Sequence, residues 1–291
     1  MSKVTPGRGG NGGRHDRRPG RPTDVPHRTA EPRSRQPDPP RSVNTRPSGR
    51  SKTDPNVVMI WGFHSVREAL RSKQRKLIRL SATAAAVERL AAEISERDLA
   101  PTLLTADELA ARLPRDAVHQ GLLLEARPIE PSGLDDLPER GILLVLDQVT
   151  DPHNVGAILR TAAAFGVVGL VTTERHSPEL TGVLAKAASG GLEHVPLIPV
   201  VNLARALEEI GDRGFFRIGL DSDGAVPLAS VPAGDAVALV LGAEGKGLRR
   251  LTRENCDAIA RLDFPGPIKS LNVSNACAAA LTVLHHRRGE Q

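Results

Sequence analysis

Three short polar segments contain side chains that could hold and orient a phosphate-bearing or hydroxyl-bearing ligand. The segment DPHNVGAILRTAAAFG carries Asn154 and Arg160, the segment LGAEGKGL carries Glu244, and the segment KSLNVSNA carries Ser270 and Asn272. Amides and carboxylates bind hydroxyls and amines, whereas a guanidinium group suits phosphate. If folding brings the three segments together, they can form a single binding site.

Each of these segments also has a purely structural interpretation. Asp151 and Asn154 are good capping residues for a helix that starts there. Arg160 lies on the helical wheel almost opposite an apolar face that includes Val155 and Leu159. Spacing alone therefore leaves two interpretations of Arg160 open, an ordinary solvent-facing charge or a phosphate-binding side chain.

The second and third polar segments differ in how strongly they indicate a binding site. Gly242 begins a glycine-rich loop that follows an apolar run, but its spacing fits neither a Walker loop nor a dinucleotide fingerprint, so it is a weak sign of nucleotide binding. The third segment offers four good capping residues within six positions, more than one helix end requires. This excess indicates a polar binding loop. The four residues are Ser270, Asn272, Ser274 and Asn275.

The elements that would position these segments alternate between strand and helix. The run ILLVLDQV is typical of a buried parallel strand, and VVGLVTT, VPLIPV, FFRIGL, AVALVL and AIARLDF are further strand candidates. A last helix is predicted to begin at Asn272. The pattern predicts an α/β fold with a mostly parallel sheet, whose ligands bind at the carboxyl ends of the strands.

Alternating strand and helix patterns over residues 57–129 predict a smaller α/β domain. A linker over 130–140 and the larger domain over 141–291 follow it. Ser65 with Glu68, and Thr105 with Glu108, have the spacing of helix capping boxes. Ala84 to Asp98 carries the apolar spacing of a helix, between strands at KLIRLSA and TLLT.

Residues 1–55 differ in composition from the rest of the chain. They contain no aromatic residue and hold 13 Lys and Arg against 5 Asp and Glu, a charge of +8, so the remainder of this +5 chain carries −3. We interpret the segment as a disordered Arg/Pro/Gly-rich basic tail, either an arm that attracts RNA phosphates or a solubilising extension.

Other compositional features narrow the class of protein. No apolar run is long enough to span a membrane, so we expect a cytoplasmic protein. Cys256 and Cys277 are two unpaired cysteines, which we interpret as small buried hydrophobic residues. They predict neither a zinc site nor a disulfide framework.

Taken in order, the three polar segments resemble the three motifs of the SpoU (TrmH-like) family of SPOUT methyltransferases over residues 140–291. The stretches WGFHSVREAL and VHQGLLLEA resemble the ribosomal-protein-L30e-like substrate-binding domain of bacterial members that methylate a guanosine of 23S rRNA. The resemblance implies a Rossmann-like parallel-sheet domain whose C-terminal part forms a trefoil knot, a homodimer, and RNA as partner, either 23S rRNA or a ribosome assembly intermediate.

The resemblance also implies a cofactor and a division of roles. S-adenosyl-L-methionine would be bound largely through backbone groups at Gly242, Leu262 and Leu271, and no metal is needed. Among the catalytic positions, Arg160 would contact the RNA phosphate beside the 2′-hydroxyl, with Asn154 positioning Arg160 or the ribose. Three further residues complete the set: Glu244 and Asn272 would hold the loops and substrate, and Ser270 would line the site of methyl transfer.

The chemistry implied is 2′-O-ribose methylation of RNA, an in-line displacement that depends mainly on holding the reactants in position. A guanidinium group normally stays protonated, so we interpret Arg160 as an orienting and electrostatic group and leave the base unassigned. Two alternatives remain open: a tRNA 2′-O-ribose methyltransferase, and a non-catalytic RNA-binding protein on the same scaffold.

Overall fold

The computed structural model describes residues 56–176, 182–232 and 234–289. The predicted basic tail over 1–55 lies outside the described residues. Within the described ranges, no helix combines the length and the apolar character needed to cross a membrane.

The N-terminal part is built on a four-stranded sheet in the order β1-β4-β2-β3. Strand β4 pairs antiparallel with both β1 and β2, whereas β2 and β3 pair in parallel. The elements are β1 (Val58–Trp61), α1 (Phe63–Arg71), β2 (Leu77–Ala82), α2 (Ala84–Arg89), α3 (Ala91–Glu96), β3 (Thr102–Leu103), α4 (Ala106–Ala110) and β4 (Leu122–Ala126). The strands correspond to the apolar runs of the sequence, so the predicted α/β character of this part is confirmed.

Two local features in this part differ from what the sequence predicts. Helix α1 begins after Gly62 rather than at Ser65, and the Ser65 hydroxyl is buried and donates to the Ala185 carbonyl oxygen at 3.1 Å. The region predicted to be helical over Ala84–Asp98 forms two short helices rather than one, with an interruption at Leu90, where ψ is 20°. The predicted capping box of Thr105 is present at the start of α4.

The C-terminal part contains a seven-stranded sheet in the order β7-β6-β5-β10-β8-β11-β9, and all neighbouring strands in it run parallel. Its strands are β5 (Gly141–Asp147), β6 (Gly169–Thr173), β7 (Leu197–Val200), β8 (Phe216–Leu220), β9 (Val226–Pro227), β10 (Ala236–Gly242) and β11 (Ala258–Arg261). The parallel sheet is as predicted, but the two-residue edge strand β9 was not. So short a run carries no detectable periodicity.

Helices cover both faces of this sheet and bury its apolar side chains. Along β5, Leu144 and Leu146 face one core cluster, whereas Leu143 and Val145 face another. Successive side chains of a strand point to opposite faces, which explains the unbroken apolar run in the sequence. The helices are α5 (Pro152–Ala164), α6 (Gly182–Ala188), α7 (Leu203–Asp212), α8 (Arg250–Glu254) and α9 (Val273–Gly289).

The two sheets are joined by polar contacts as well as by packing. The side chains of Arg75 and Glu193 are each only 3% exposed and form an ion pair, in which Arg75 Nε donates at 3.1 Å. Arg75 also donates to the Arg127 carbonyl oxygen at 2.9 Å. Because a buried guanidinium without these acceptors would be costly, the contacts fix how the N-terminal part lies against the parallel sheet.

Candidate active site

The candidate site lies where β5 and β10 end side by side. Gly242 is the register partner of Asp147, so these two residues are the last paired positions of the two strands. The chain leaves β5 toward α5, and it leaves β10 into the glycine-rich loop. Carboxyl ends of adjacent parallel strands are where α/β sheets bind ligands.

Three of the predicted catalytic side chains meet in one hydrogen-bonded cluster. Asn154 Nδ2 donates to Glu244 Oε1 at 3.0 Å, and Asn272 Nδ2 donates to the same oxygen at 2.5 Å. Asn272 Nδ2 also lies 3.0 Å from Asn154 Oδ1. We call these three residues the polar cluster. Each comes from a different polar segment, so the cluster ties the three segments together.

Local helix-end chemistry holds two members of the polar cluster in place. Asn272 precedes α9, and its Oδ1 accepts from the Ser274 backbone N–H at 2.9 Å, the geometry of an N-cap. Glu244 Oε1 accepts weakly from the Val273 backbone N–H at 3.4 Å, which places a carboxylate at the positive end of α9. Asp151 caps α5 and thereby orients its first turn, which contains Asn154.

An ion pair between a fully buried aspartate and a half-exposed arginine closes the base of the glycine-rich loop. The side chain of Asp147 is fully buried, and its two oxygens accept from Arg249 Nε at 2.6 Å and from the Arg249 backbone N–H at 3.0 Å. Because Gly242 is the register partner of Asp147, the loop both leaves and returns at this aspartate. Sequence reasoning missed Asp147, although a charged residue that ends an apolar strand run was a signal available to it.

A cavity of about 630 Å³ lies on one side of the polar cluster. Its volume falls within the usual range for a small-molecule site. The predicted cofactor positions Gly242, Leu262 and Leu271 all line it, together with Ser270 and Asn272. The wall therefore consists mainly of loop backbone and apolar side chains.

A second cavity, of about 530 Å³, also borders the polar cluster. Asn154 and Glu244 line it, together with Gln148 and the exposed cation Lys246. Glu244 lines both cavities. A ligand in each cavity would therefore meet the other at the polar cluster.

Gly242 is constrained by the chain itself. A Cβ atom added there would lie 2.3 Å from the backbone carbon of Gly247 and 2.6 Å from the nitrogen of Leu248. We expected a bound ligand to be what approaches this backbone closely. In the structure the closest approach is instead that of the returning loop.

Arg160 is not part of the polar cluster. It is exposed on α5 and forms no ion pair or hydrogen bond through its side chain within the described ranges. The Asn154 side chain hydrogen-bonds to Glu244 and Asn272. The structure therefore shows no direct contact by which Asn154 would position Arg160. Arg160 follows Asn154 by six residues, about 9 Å along the helix axis.

Phe264 and Lys269 adjoin the cofactor loop in the sequence, but two side-chain contacts at the first cavity were not predicted. Asp221 lines this cavity at the end of β8 and forms an ion pair with Arg253. Lys269 Nζ donates to the Phe264 carbonyl oxygen at 2.6 Å, which ties together two turns of the loop between β11 and α9. Both pairings are tertiary contacts that no spacing in the sequence indicates.

Fold and site together define a class: a parallel α/β protein with two cavities that meet at a polar cluster beyond the strand ends. The SpoU rRNA methylase family model matches residues 141–282, and a model for RNA 2′-O ribose methyltransferase substrate binding matches 59–132. The chain belongs to the SpoU rRNA methylase family.

Individual relatives agree with the family match. A Pseudomonas aeruginosa protein named 23S rRNA (guanosine-2′-O-)-methyltransferase RlmB is 36% identical over 250 residues, which cover 79% of this chain and 96% of that protein. A tRNA/rRNA methyltransferase of Mycolicibacterium vanbaalenii, described as uncharacterized, is 33% identical over 82% of this chain and 80% of its own length.

Solved structures show the same fold. An AdoMet-bound rRNA methyltransferase from Sinorhizobium meliloti superposes with a TM-score of 0.68 at 23% identity, over 80% of this chain and 88% of that one. The SpoU methyltransferase AviRb from Streptomyces viridochromogenes, also with AdoMet, gives a TM-score of 0.67 at 20% identity, over 80% of this chain and 91% of its own.

Proposed function

We propose that this protein transfers a methyl group from S-adenosyl-L-methionine to the ribose 2′-hydroxyl of a guanosine in 23S rRNA. The observation that carries the proposal is the polar cluster of Asn154, Glu244 and Asn272 between two cavities. Two reactants, one in each cavity, would meet there, because Glu244 lines both cavities. The substrate class is supported by the names of relatives that match most of the chain, among them the Pseudomonas aeruginosa protein.

The first cavity fits the cofactor in size and chemistry. Its volume of about 630 Å³ accommodates a ligand of nucleoside size, and Leu262 and Leu271 offer apolar contact for a base. Backbone groups near Gly242 would bind its polar edges. When bound there, the cofactor supplies an electrophilic methyl group on a positively charged sulfur.

The polar cluster would hold the ribose in line with that methyl group. Asn154 and Glu244 line the second cavity and thus are placed to bind ribose hydroxyls, while Asn272 fixes Glu244. Ser270 lines the first cavity, where methyl transfer would occur. Catalysis of this kind depends mainly on orientation, which can lower a barrier by about 7–11 kcal/mol in ideal cases.

Arg160 would act as an orienting and electrostatic group. Its exposed guanidinium forms no ion pair or hydrogen bond with the described residues, and its planar fork suits an RNA phosphate. Because it lies about 9 Å along the helix from Asn154, the bound RNA must extend along α5, or a second copy of the chain must complete the site. We propose the homodimer that the family resemblance implies, in which the second copy would complete the site.

The remaining expectations belong to the same proposal. They are a trefoil knot in the C-terminal part, action in the cytoplasm on 23S rRNA or a ribosome assembly intermediate, and a basic tail over 1–55. The division into an RNA-binding domain over 57–129, a linker over 130–140 and a catalytic domain over 141–291 is supported by the two family models.

The experiment that tests the function uses methyl-labelled cofactor with total rRNA and total tRNA from a strain lacking the gene. We expect the label to enter one guanosine of 23S rRNA. RNA from the parent strain should take up no label, because that guanosine is already methylated there. Incorporation into tRNA alone would support the tRNA alternative instead. RNA binding with no methyl transfer to either substrate would support a non-catalytic role.

A further inference from the structure

A smaller cavity of about 170 Å³ lies outside the site described above, between the N-terminal part and α5 and α6. One wall is formed by Trp61 and the turn over residues 114–118, and the other by α6 with His153 of α5. We call it the Lys186 cleft, after the cation that lines it. Its volume suits a single flat ring system rather than a whole nucleotide.

Lys186 lines the cleft and has no carboxylate partner among the residues that the structure describes. Its Nζ donates at 3.5 Å to Gln120 Oε1, an oxygen that also accepts from the Phe63 backbone N–H at 2.9 Å. Within the described ranges it forms no ion pair, and burial lowers its pKa from the ordinary lysine value. A partly buried ammonium is stabilised by a ligand oxygen or nitrogen that accepts its hydrogen bonds.

Asp116 supplies the complementary group on the opposite wall. It lies in a turn that is closed by a hydrogen bond of 2.9 Å from the Ala117 N–H to the Pro114 carbonyl oxygen. Its carboxylate is exposed and forms no ion pair within the described part of the chain. The cleft therefore offers an acceptor-only group and a donor-only group across a space of one ring system.

The space between them is apolar. Trp61, Val183 and Ala187 line it, and the exposed side chain of Val118 extends its edge. Unstacked RNA bases bind in pockets of this kind, where apolar walls cover the ring faces and a few polar groups recognise the edge.

We propose that the Lys186 cleft binds the guanine base of the nucleotide that is methylated. Guanine presents two neighbouring donors, N1–H and the N2 amino group, that match the carboxylate of Asp116. It also presents acceptors at O6 and N7 that match the ammonium of Lys186. Adenine lacks the N1–H donor and carries an amino group in place of O6, so it cannot offer two neighbouring donors to Asp116 and an O6 acceptor to Lys186 at the same time.

The position of the cleft suits the target nucleotide. His153 lines the cleft, and its neighbour Asn154 belongs to the polar cluster. Adjacent residues in the first turn of α5 thus line the place for the base and the place for the ribose. This inference rests on the proposed function, because it assigns guanosine selectivity to named residues of that reaction.

A backbone phosphate is the competing occupant, and Asp116 distinguishes the two. A carboxylate on the wall repels phosphate but binds the donor edge of guanine. Removing its charge in Asp116→Asn should therefore strengthen phosphate binding and weaken guanine recognition.

The test compares synthetic rRNA fragments that contain the mapped target guanosine or inosine at the same position. Inosine lacks only the N2 amino group. The wild-type protein should methylate the inosine fragment with a kcat/KM lower by about tenfold, and Asp116→Asn should bring the two fragments within about twofold. Lys186→Met should lower kcat/KM for both fragments by similar factors. The matched controls are Asp107→Asn and Lys73→Met, exposed positions of the N-terminal part outside the cleft.

The outcomes separate this inference from the proposed function. Undiminished discrimination in a folded Asp116→Asn protein that binds cofactor normally would overturn it. Faster methylation of both fragments by Asp116→Asn would also overturn it. So would a Lys186→Met variant in which the dependence of log RNA affinity on log salt concentration is shallower by about one. Both results would indicate that the cleft binds a phosphate. If wild-type protein methylates neither fragment nor intact 23S rRNA, the proposed function itself fails.

Discussion

The side-chain amide of Asn272 lies 2.5 Å from Glu244 Oε1, and this contact joins the N-cap of α9 to the glycine-rich loop. The same oxygen accepts from Asn154, so one carboxylate oxygen ties all three polar segments together. Side chains that share an acceptor in this way depend on one another's position. Their substitutions are therefore expected to have coupled effects.

Glu244→Ala and Asn272→Ala should each lower kcat/KM for rRNA by about 100-fold, because each releases the loops that align the reactants. The double variant should cost little more than the worse single variant. Single-turnover methylation measures all three. Glu254→Ala, in the exposed Arg250 pair on α8, is the matched control and should leave the rate unchanged. Fully additive losses would show that Glu244 and Asn272 act independently.

The buried Asp147 should be needed for stability as well as for loop position. Asp147→Asn removes the charge that the half-exposed Arg249 pairs with and should lower the free energy of unfolding by about 1–3 kcal/mol, because the buried Asp147 oxygens lose charge-assisted hydrogen bonds. Urea unfolding at neutral pH measures this change. Asp257→Asn, in the partly exposed pair with Arg217, should cost no more than about 1 kcal/mol. Equal losses in the two variants would contradict the importance of burial at Asp147.

Gly242→Ala should distort the glycine-rich loop, since its new Cβ would lie 2.3 Å from the Gly247 carbonyl carbon. Overpacking of this kind costs about 1–3 kcal/mol. Calorimetry should show cofactor affinity reduced by about tenfold. Gly234→Ala is the control, because a Cβ there has nothing within 4 Å. Wild-type affinity in a folded Gly242→Ala protein would remove the loop from the cofactor site.

Several of these features could be predicted from the sequence because they depend on local pattern. The apolar run at ILLVLDQV predicted β5, and excess capping residues predicted the polar loop at Asn272, which is an N-cap in the structure. The meeting of distant loops followed from the rule that parallel strands end at one edge of the sheet. These predictions needed only periodicity and topology.

Other features depend on tertiary partners that no local pattern specifies. Ser65 has the spacing of a helix cap, but its hydroxyl donates a hydrogen bond to the carbonyl oxygen of Ala185, which lies 120 residues further along the chain. Arg249 pairs with Asp147 because β10 and β5 are neighbours in the sheet. Neither strand's own sequence indicates that the two strands are adjacent. The helical spacing over Ala84–Asp98 likewise gives no signal of the interruption at Leu90, a residue that is fully buried in the structure.

Cys277 should make the protein less stable at alkaline pH. Burial raises the pKa of its thiol from 9.0 to about 12, so the unfolded chain loses the thiol proton at a pH where the folded protein keeps it. Stability is therefore complete below about pH 9 and declines above it, by at most about 1.4 kcal/mol per pH unit for this group. Cys277→Ala should flatten that decline in urea unfolding between pH 8 and pH 10. An unchanged slope would contradict the prediction.

Arg160 offers the sharpest choice between a structural and a functional interpretation. If it is only an exposed helix residue, Arg160→Ala should change the free energy of unfolding by no more than about 0.5 kcal/mol and leave methylation unchanged. If it holds the RNA phosphate, the same substitution should abolish most turnover while stability and cofactor affinity survive. We expect the second result, measured by single-turnover methylation of an rRNA fragment with calorimetry in parallel.

Arg160→Lys then separates charge from geometry. Lysine keeps the positive charge but lacks the planar fork that binds a phosphate through two hydrogen bonds, so a large residual defect would indicate geometric positioning. Arg205→Ala, at an exposed arginine of α7, is the control and should be neutral. Near-normal rates for both Arg160 variants would exclude this residue from the reaction. The polar cluster of Asn154, Glu244 and Asn272 would then have to align the ribose without it.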